Sequence, residues 1–384
     1  MKASDLRIAL FSGNYNYVRD GANQALNRLV GTLLGAGASV RVYSPTTKTP
    51  AFTPTGDLVS TSSIPFPIRG RGEYRFPIAL SPRVKRDLAS FAPNLIHVSS
   101  PDIVGQRAVS YARKHGIPVV ASMHTRFEAY LGYYNMAMLE PLFIAWLRHF
   151  YTRCDAVVAP AESMAEVMRA QHLASNVSLW SRGVDHARFN PQRRDQAWRR
   201  QLGFDDDDVV IGFLGRLVIE KGLDVFSDTV DALIRRNIAH KLLIVGDGPA
   251  RRWLAKRLPD AQFAGFQTGE ALGRAVASMD VLFNPSVTES FGNVTLEAMA
   301  CGVPVIAADA TGSRSIVEHG TTGMLVAPGD IAGFADALAT YCTDNSMRRI
   351  HGAAAHASTD RYDWNKINQA LIDVYLELLA KRKT

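Results

Sequence analysis

The sequence predicts an α/β fold made of two doubly wound domains of similar size. Three observations predict it. Short apolar, β-branched runs recur along the 384 residues, too uniformly apolar to alternate. Strands buried on both faces of a parallel sheet read this way. Segments of helical character separate most of the runs, which repeats the βαβ unit. Several runs end in glycine or small polar residues, at the strand ends where doubly wound sheets hold ligands.

The strands follow in chain order. The first half reads RIALFS (7–12), VRVYS (40–44), LIHVSS (95–100), PVVASMH (118–124), AVVAP (156–160) and VSLWSRG (177–183). The second half reads VVIGFLG (209–215), KLLIVGDG (241–248), AQFAGF (261–266), VLFNPS (281–286), PVIAAD (304–309) and GMLVAP (323–328). The predicted domains are 1–190 and 191–361, with 362–384 as a terminal helix. The seam at 186–208 is polar, contains Pro191 and ends in the acidic run Asp205 to Asp208. It predicts a linker helix and a solvated turn. Four adjacent carboxylates on one loop do not converge on one ion, and no EF-hand spacing is present. In the tail, Trp364, Ile367, Leu371, Val374 and Leu378 fall on one helical stripe. Such a stripe must bury, so the last helix is expected to dock back on the body.

Composition narrows the class. Apolar residues make 47% and charged residues 21% of the chain, which excludes a disordered, collagen-like or disulfide-stapled protein. Cys154, Cys301 and Cys342 lie far apart with no CxxC pair, which suits a reducing cytosol and no zinc site. No run of 18 apolar residues exists, so no spanning helix is expected. Asp5 and Arg7 interrupt any signal-peptide core at the N-terminus. The net charge of +7 is uneven. Residues 1–190 hold 21 basic and 12 acidic side chains, against 22 and 24 in 191–384. A basic first half predicts contact with an anionic surface. There is no RNA-recognition motif, zinc finger or basic helix, so nucleic acid is not the expected partner.

Four strand ends in the second half carry chemistry. In GFLGRLVIEKG (212–222) a strand ends at Gly215, and Arg216 and Lys221 follow before a helix. Two cations beside a glycine turn suit a pyrophosphate. In IVGDGPARR (244–252), Gly246 and Gly248 allow close approach to the backbone, and Pro249 starts a helix. No GxGxxG follows any strand, which argues against a nicotinamide dehydrogenase. In AGFQT (264–268) the loop at Phe266 offers backbone groups to a nucleobase. The strongest signal is PSVTESFGNVTLEAMACGVPVIA (285–307). A helix is predicted from about Asn293 to its stop at Gly302, before Pro304. Glu289 precedes it, with Phe291, Gly292 and Asn293 between, and Glu297 lies one turn in. A helix N-terminus suits an anion, and flanking carboxylates grip hydroxyls. A nucleotide sugar offers both.

The ordered set GRLVIEKG, VGDGP, GF and ESFGNVTLEAMACGVPVI resembles the retaining glycosyltransferases of the GT-B fold, family 4. The spacing E-x7-E, Glu289 to Glu297, matches that family's signature. The resemblance covers nearly all of 205–328. It implies two Rossmann-like domains facing a cleft, with the C-terminal helix at 362–384 crossing back to the first. It implies a UDP- or GDP-sugar donor held by the C-terminal domain, an acceptor held by the N-terminal domain, and no metal or other cofactor. By motif position, Arg216 and Lys221 would bind the diphosphate, Glu297 the ribose, and Glu289 with Phe291, Gly292 and Asn293 the sugar and phosphate. The resemblance is looser in the first half. A single Gly21 after Asp20 stands where many members have a glycine pair. Gly13 and Gly21 are carried over as loop glycines near the diphosphate. His124, at a strand end, would contact the transferred sugar.

The stretch from 127 to 164 looks like the subset that glycosylates membrane lipids, the diacylglycerol sugar transferases. Tyr130, Tyr133, Tyr134, Trp146, Arg148 and Arg153 mix rings with cations, which suits a membrane interface. Arg69, Arg71, Arg75, Arg83, Lys85 and Arg86 would add attraction to anionic lipid. The expected enzyme is therefore a peripheral one on the inner face of the plasma membrane. It would move sugar to a lipid such as diacylglycerol, a glycolipid or ceramide. A soluble sugar or sugar-phosphate acceptor, or a catalytically silent membrane-binding protein, remain alternatives.

Overall fold

The computed structural model describes residues 1–65, 74–126 and 137–382. Arg69, Arg71, Tyr130, Tyr133 and Tyr134 lie outside the described residues. The chain divides into two compact units. One is Met1–Arg182 with the segment from Trp364 onward, the other Gly183–Asp363.

The first unit is built on β1 (Arg7–Phe11), β2 (Ser39–Ser44), β3 (Asp57–Ser60), β6 (Leu95–Val98), β7 (Val119–Ser122), β8 (Ala156–Ala159) and β9 (Val177–Leu179). These pair in parallel in the order β3-β2-β1-β6-β7-β8-β9. A separate antiparallel pair joins β4 (Ser62–Pro65) to β5 (Arg75–Ala79). β3, β4 and β5 are additions to the six strands expected. Most of their residues stay half or fully exposed. β3 and β4 have so little burial that they leave no apolar run, and in β5 Pro77 interrupts an apolar run that would otherwise read as a strand. Two expected strands also stop early. The sheet releases the chain at Leu179, not at Gly183, and at Ser122, two residues before His124.

The C-terminal helix Trp364–Lys381 packs in this unit's core, beside Leu26, Leu29 and Leu33 of the helix Gly21–Gly35. Its buried face is Asn368, Leu371, Ile372, Tyr375 and Leu379. The expected stripe is thus rotated: Leu371 is central, while Trp364, Ile367, Val374 and Leu378 are only partly buried. Asn368 sits in the seam because it is satisfied. It accepts from Trp180 Nε1 at 3.2 Å and donates to Thr32 Oγ1 at 2.9 Å.

The second unit holds β10 (Val210–Leu214), β11 (Lys241–Val245), β12 (Gln262–Gly265), β13 (Val281–Asn284), β14 (Val305–Ala308) and β15 (Gly323–Val326). All pair in parallel in the order β12-β11-β10-β13-β14-β15. Counted within the unit, that is 3-2-1-4-5-6, the Rossmann order, and the strand order reverses between β10 and β13. Phe213, Phe226, Phe283 and Phe334 pack ring to ring through its core, edge-on, stacked and tilted in turn. The predicted linker helix is Gln196–Gln201, capped by Asp195. It belongs to this unit through buried Arg199, which donates to Ser278 O at 2.6 Å and Asp280 Oδ2 at 3.0 Å. The acidic run is used locally: Asp206 pairs with Arg200, and Asp208 accepts from the Asp205 N–H.

Candidate active site

The two strands that flank the reversal in the second unit each send a loop to the same place. After β10 comes the turn Ile219–Lys221, closed by Gly222 at φ +73°. A Cβ on Gly222 would lie 3.1 Å from Pro285 O, so glycine lets this turn seat against the loop after β13. Thr288 Oγ1 donates to Glu220 O at 3.1 Å and holds the two loops together. The result is an ion pair between residues 68 positions apart: Lys221 Nζ to Glu289 Oε1 at 2.6 Å. Both side chains keep partial access to solvent, at 24% and 18%. Arg216 is half-buried on the first of these loops, at the carboxyl end of β10.

Gly215, Gly246 and Gly248 have a packing task. Gly215 N–H donates to Val245 O, Leu217 N–H to Asp247 O, and Ala250 N–H to Leu217 O. A Cβ on Gly246 would lie 1.9 Å from Gly215 O, and one on Gly248 2.5 Å from Leu217 O. The backbone that approaches these glycines most closely is the neighbouring loop's own. Phe266 follows β12 with its ring 65% exposed.

The helix Asn293–Ala300 begins at Gly292 with no side-chain cap. Its first turn therefore presents N–H groups without a serine or aspartate oxygen on them, a setting for an anion. The Phe291 ring is buried edge-on against Tyr362, 5.9 Å between centroids. Glu297 is half-buried by area, yet protein crowds its carboxyl and burial raises its pKa from 4.5 to about 8, opposed by Arg188. Its proton is held more tightly folded than unfolded. Stability from this group is complete below pH 4.5 and is lost as pH rises toward about 8. Glu297→Gln should flatten that slope. Melting curves of both proteins at about pH 5, 6.5 and 8 test this, and parallel slopes would refute it.

In the first unit, Gly13 follows β1 and Gly21 opens the helix Gly21–Gly35, capped by Asp20, which accepts from Asn23 N–H at 2.8 Å. Gly13 lies at that sheet's own reversal, between β1 and β6, and its Cβ position faces Asp102 Oδ2 at 2.9 Å. His124 is half-buried, and both ring nitrogens already have partners. Nε2 meets Ser122 Oγ at 2.8 Å and Nδ1 meets Arg182 Nη2 at 2.7 Å. Burial, then Arg182 and His97, hold its pKa well below the ordinary 6.5, so the ring is neutral.

The geometry thus joins Lys221 to Glu289 directly, and places Arg216, Gly292, Asn293 and Glu297 on the same two strand-end segments. Gly13, Gly21 and His124 belong to the other unit. Among the described residues no group of three His, Cys, Asp or Glu side chains is arranged to hold a metal ion.

A family model described as "Glycosyl transferases group 1" matches residues 208–344, and one described as "Glycosyltransferase Family 4" matches 19–188. A GDP-mannose-dependent alpha-mannosyltransferase of Mycolicibacterium smegmatis is 34% identical over 98% of this chain and 99% of its own length. The chain belongs to glycosyltransferase family 4. A sulfoquinovosyl transferase of Arabidopsis thaliana is 35% identical over 75% of this chain, but the match spans only 57% of that relative's length. Among solved structures, sucrose-phosphate synthase from Thermosynechococcus elongatus superposes with a TM-score of 0.81 at 22% identity, covering 97% of this chain and 99% of that one. The Anabaena HepE protein in complex with UDP gives 0.74 at 21%, covering 96% and 99%. These structural likenesses establish the GT-B fold.

Several residues of this family-4 chain were silent in the sequence. Arg182, Ser122 and His97 form a polar chain behind His124. Thr288 and Gly222 seat the Lys221 turn. Gly222 and Thr288 lay within quoted motifs without a role of their own, and Arg182 left a trace as a charge at the end of an apolar strand run.

Proposed function

We propose that this chain is a retaining, metal-independent glycosyltransferase that moves a sugar from a UDP- or GDP-sugar to a hydroxyl of a membrane lipid. The observation that carries the reading is the Lys221–Glu289 pair beside an uncapped helix N-terminus, on the two loops at the strand reversal. The donor lies in the second unit. Arg216, Lys221 and the N–H groups at Asn293 take its diphosphate, Glu297 its ribose, and Glu289 the sugar. In transfer the C1–O bond to phosphate breaks and positive charge develops at C1. The acceptor oxygen bonds C1 on the same face, and its proton passes to the leaving phosphate. Catalysis is then positioning plus stabilisation of the departing charge.

The lipid acceptor rests on a surface. In the first unit, Met138, Leu139 and Leu142 are 87%, 45% and 71% exposed at the start of the helix Glu140–Tyr151. Arg83, Lys85 and Arg86 lie exposed on the helix Pro82–Phe91. Exposed apolar side chains and exposed cations on one unit suit the interface of an anionic bilayer. Arg148 and Arg153 contribute less, because they bond to Gln171 O and to Ser110 Oγ. No helix among the described residues is long and apolar enough to cross a membrane. A soluble acceptor is the second reading; the mannosyltransferase relative that matches end to end specifies a donor, GDP-mannose, and favours the GDP-sugar among the two donors.

Nucleotide binding is the direct test. At about 100 times its dissociation constant, the right diphosphate stabilises the fold by about 2.7 kcal/mol. UDP or GDP should raise the melting temperature, and NAD should not. No shift with either diphosphate defeats the reading. Transfer to diacylglycerol vesicles against transfer to soluble sugar phosphates then separates the two acceptors.

A further inference from the structure

The first unit contains a buried line of polar side chains that runs from the C-terminal helix to the end of β7. Tyr375 OH meets His97 Nδ1, His97 Nε2 meets Ser122 Oγ at 2.8 Å, and Ser122 Oγ meets His124 Nε2 at 2.8 Å. Arg182 Nη2 closes the line on His124 Nδ1 at 2.7 Å. Tyr375, His97, Ser122 and Arg182 are all at most 3% exposed, and only His124 reaches solvent.

The last member decides which way the bonds at His124 point. A guanidinium has donors and no acceptor. His124 Nδ1 must therefore accept, and the neutral ring carries its proton on Nε2. That N–H donates to Ser122 Oγ. The serine oxygen has a second lone pair as well as its own proton, so it can accept from His97 Nε2 or donate to it, and Tyr375 OH correspondingly donates to His97 Nδ1 or accepts from it. Both arrangements leave the His124 tautomer as Arg182 sets it.

Arg182 is itself firmly held. Nη1 donates to Trp180 O at 3.0 Å and Ser181 O at 3.1 Å, and the guanidinium lies 4.9 Å from the Trp180 ring centroid. Its charge is balanced by Asp20, the cap of the helix Gly21–Gly35. In the sheet order β7-β8-β9, it stands beyond β9 and reaches past the end of β8 to His124.

We propose that Arg182 is a positioning residue that locks His124 as the neutral, Nε2-protonated tautomer and fixes its ring at the strand end. This rests on the glycosyl-transfer reading for its purpose. A neutral ring held in one tautomer offers a single hydrogen-bonding pattern at the strand end, whereas an imidazolium would add a charge there. The lock keeps the ring uncharged and in one orientation.

The test reads the tautomer first, in resting enzyme without substrate. Protein labelled with 15N-histidine gives a long-range 1H–15N spectrum in which His124 is assigned by its loss in His124→Gln. Wild type should show His124 protonated on Nε2 and accepting on Nδ1. Arg182→Met should show a mixture of tautomers, and Arg182→Lys, which still only donates, should restore the wild-type pattern. Tyr375→Phe should move the His97 signals and leave the His124 tautomer alone. A wild-type ring protonated on Nδ1 overturns the proposal, as does an Arg182→Met ring still wholly Nε2-protonated or a His124 tautomer that follows Tyr375→Phe. If Arg182→Met does not fold, the wild-type and Arg182→Lys spectra still decide. In the transfer assay, Arg182→Met should lower kcat about tenfold with a smaller change in donor KM, and Arg182→Lys should recover it. Absence of transfer by wild type would defeat the glycosyltransferase reading alone, since the tautomer is measured without it.

Discussion

Lys221→Ala lowers the rate of sugar transfer between about a hundredfold and a thousandfold, while the protein still folds. The size follows from the work assigned to the ammonium. One preorganised group that stabilises charge developing in the transition state contributes about 2.7–4 kcal/mol. Lys221 is preorganised because the Gly222 turn seats on Pro285 and Glu289 holds Nζ at 2.6 Å. Stability should change little. Both partners of the pair are part-exposed, and exposed pairs contribute about 0–1 kcal/mol. The loss should therefore fall on kcat, with donor KM moved less, because the charge on the leaving diphosphate is greatest as the C1–O bond breaks. Steady-state kinetics on the variant, beside a melting curve, check this. Wild-type turnover in Lys221→Ala would remove Lys221 from the diphosphate site.

The second large effect concerns stability. Gly246→Ala should destabilise the second unit by about 3–5 kcal/mol and lower its melting temperature by about 10 °C or more. Gly246 has φ +138°, a conformation costly for any other residue, and its added Cβ would meet Gly215 O at 1.9 Å. The carbonyl has no room to retreat, because it lies in the loop whose own N–H groups bond to Val245 O and Asp247 O. Gly265→Ala is the control. It shares a positive φ of +71° but meets nothing within 4 Å, so it should cost about 1 kcal/mol. Equal melting temperatures for the two variants would show that the loop contact carries no weight.

These two residues illustrate what could be read in advance. Lys221 was visible because a cation after a glycine turn at a strand end is a local pattern. Its meeting with Glu289 was not, because nothing in a sequence measures the distance between loops 68 residues apart. Gly246 was visible as a special position. The sequence suggested room for a ligand, and the fold shows a neighbouring carbonyl in that room. Phe291 is similar: a ring in the motif, buried in the fold against Tyr362.

The apolar runs by themselves determined the class and its duplication, since a strand covered on both faces must be apolar throughout. The apolar stripe of the tail determined that the last helix docks back on the body, and the family resemblance assigned it to the first domain. The runs were silent on β3 and β4, whose exposed residues need no apolar run, and on β5, which Pro77 interrupts, and the stripe of the last helix was placed off its true face. Strand order was decided only in three dimensions. The reversal between β10 and β13, and with it the meeting of Lys221 and Glu289, comes from how parallel strands are added on either side of the first. The line from Arg182 to Tyr375 is likewise tertiary. Its members come from β6, β7, the segment after β9 and the last helix, and no local periodicity relates them. Hydrogen bonds that cross elements leave no period in the chain, whereas burial within one element does.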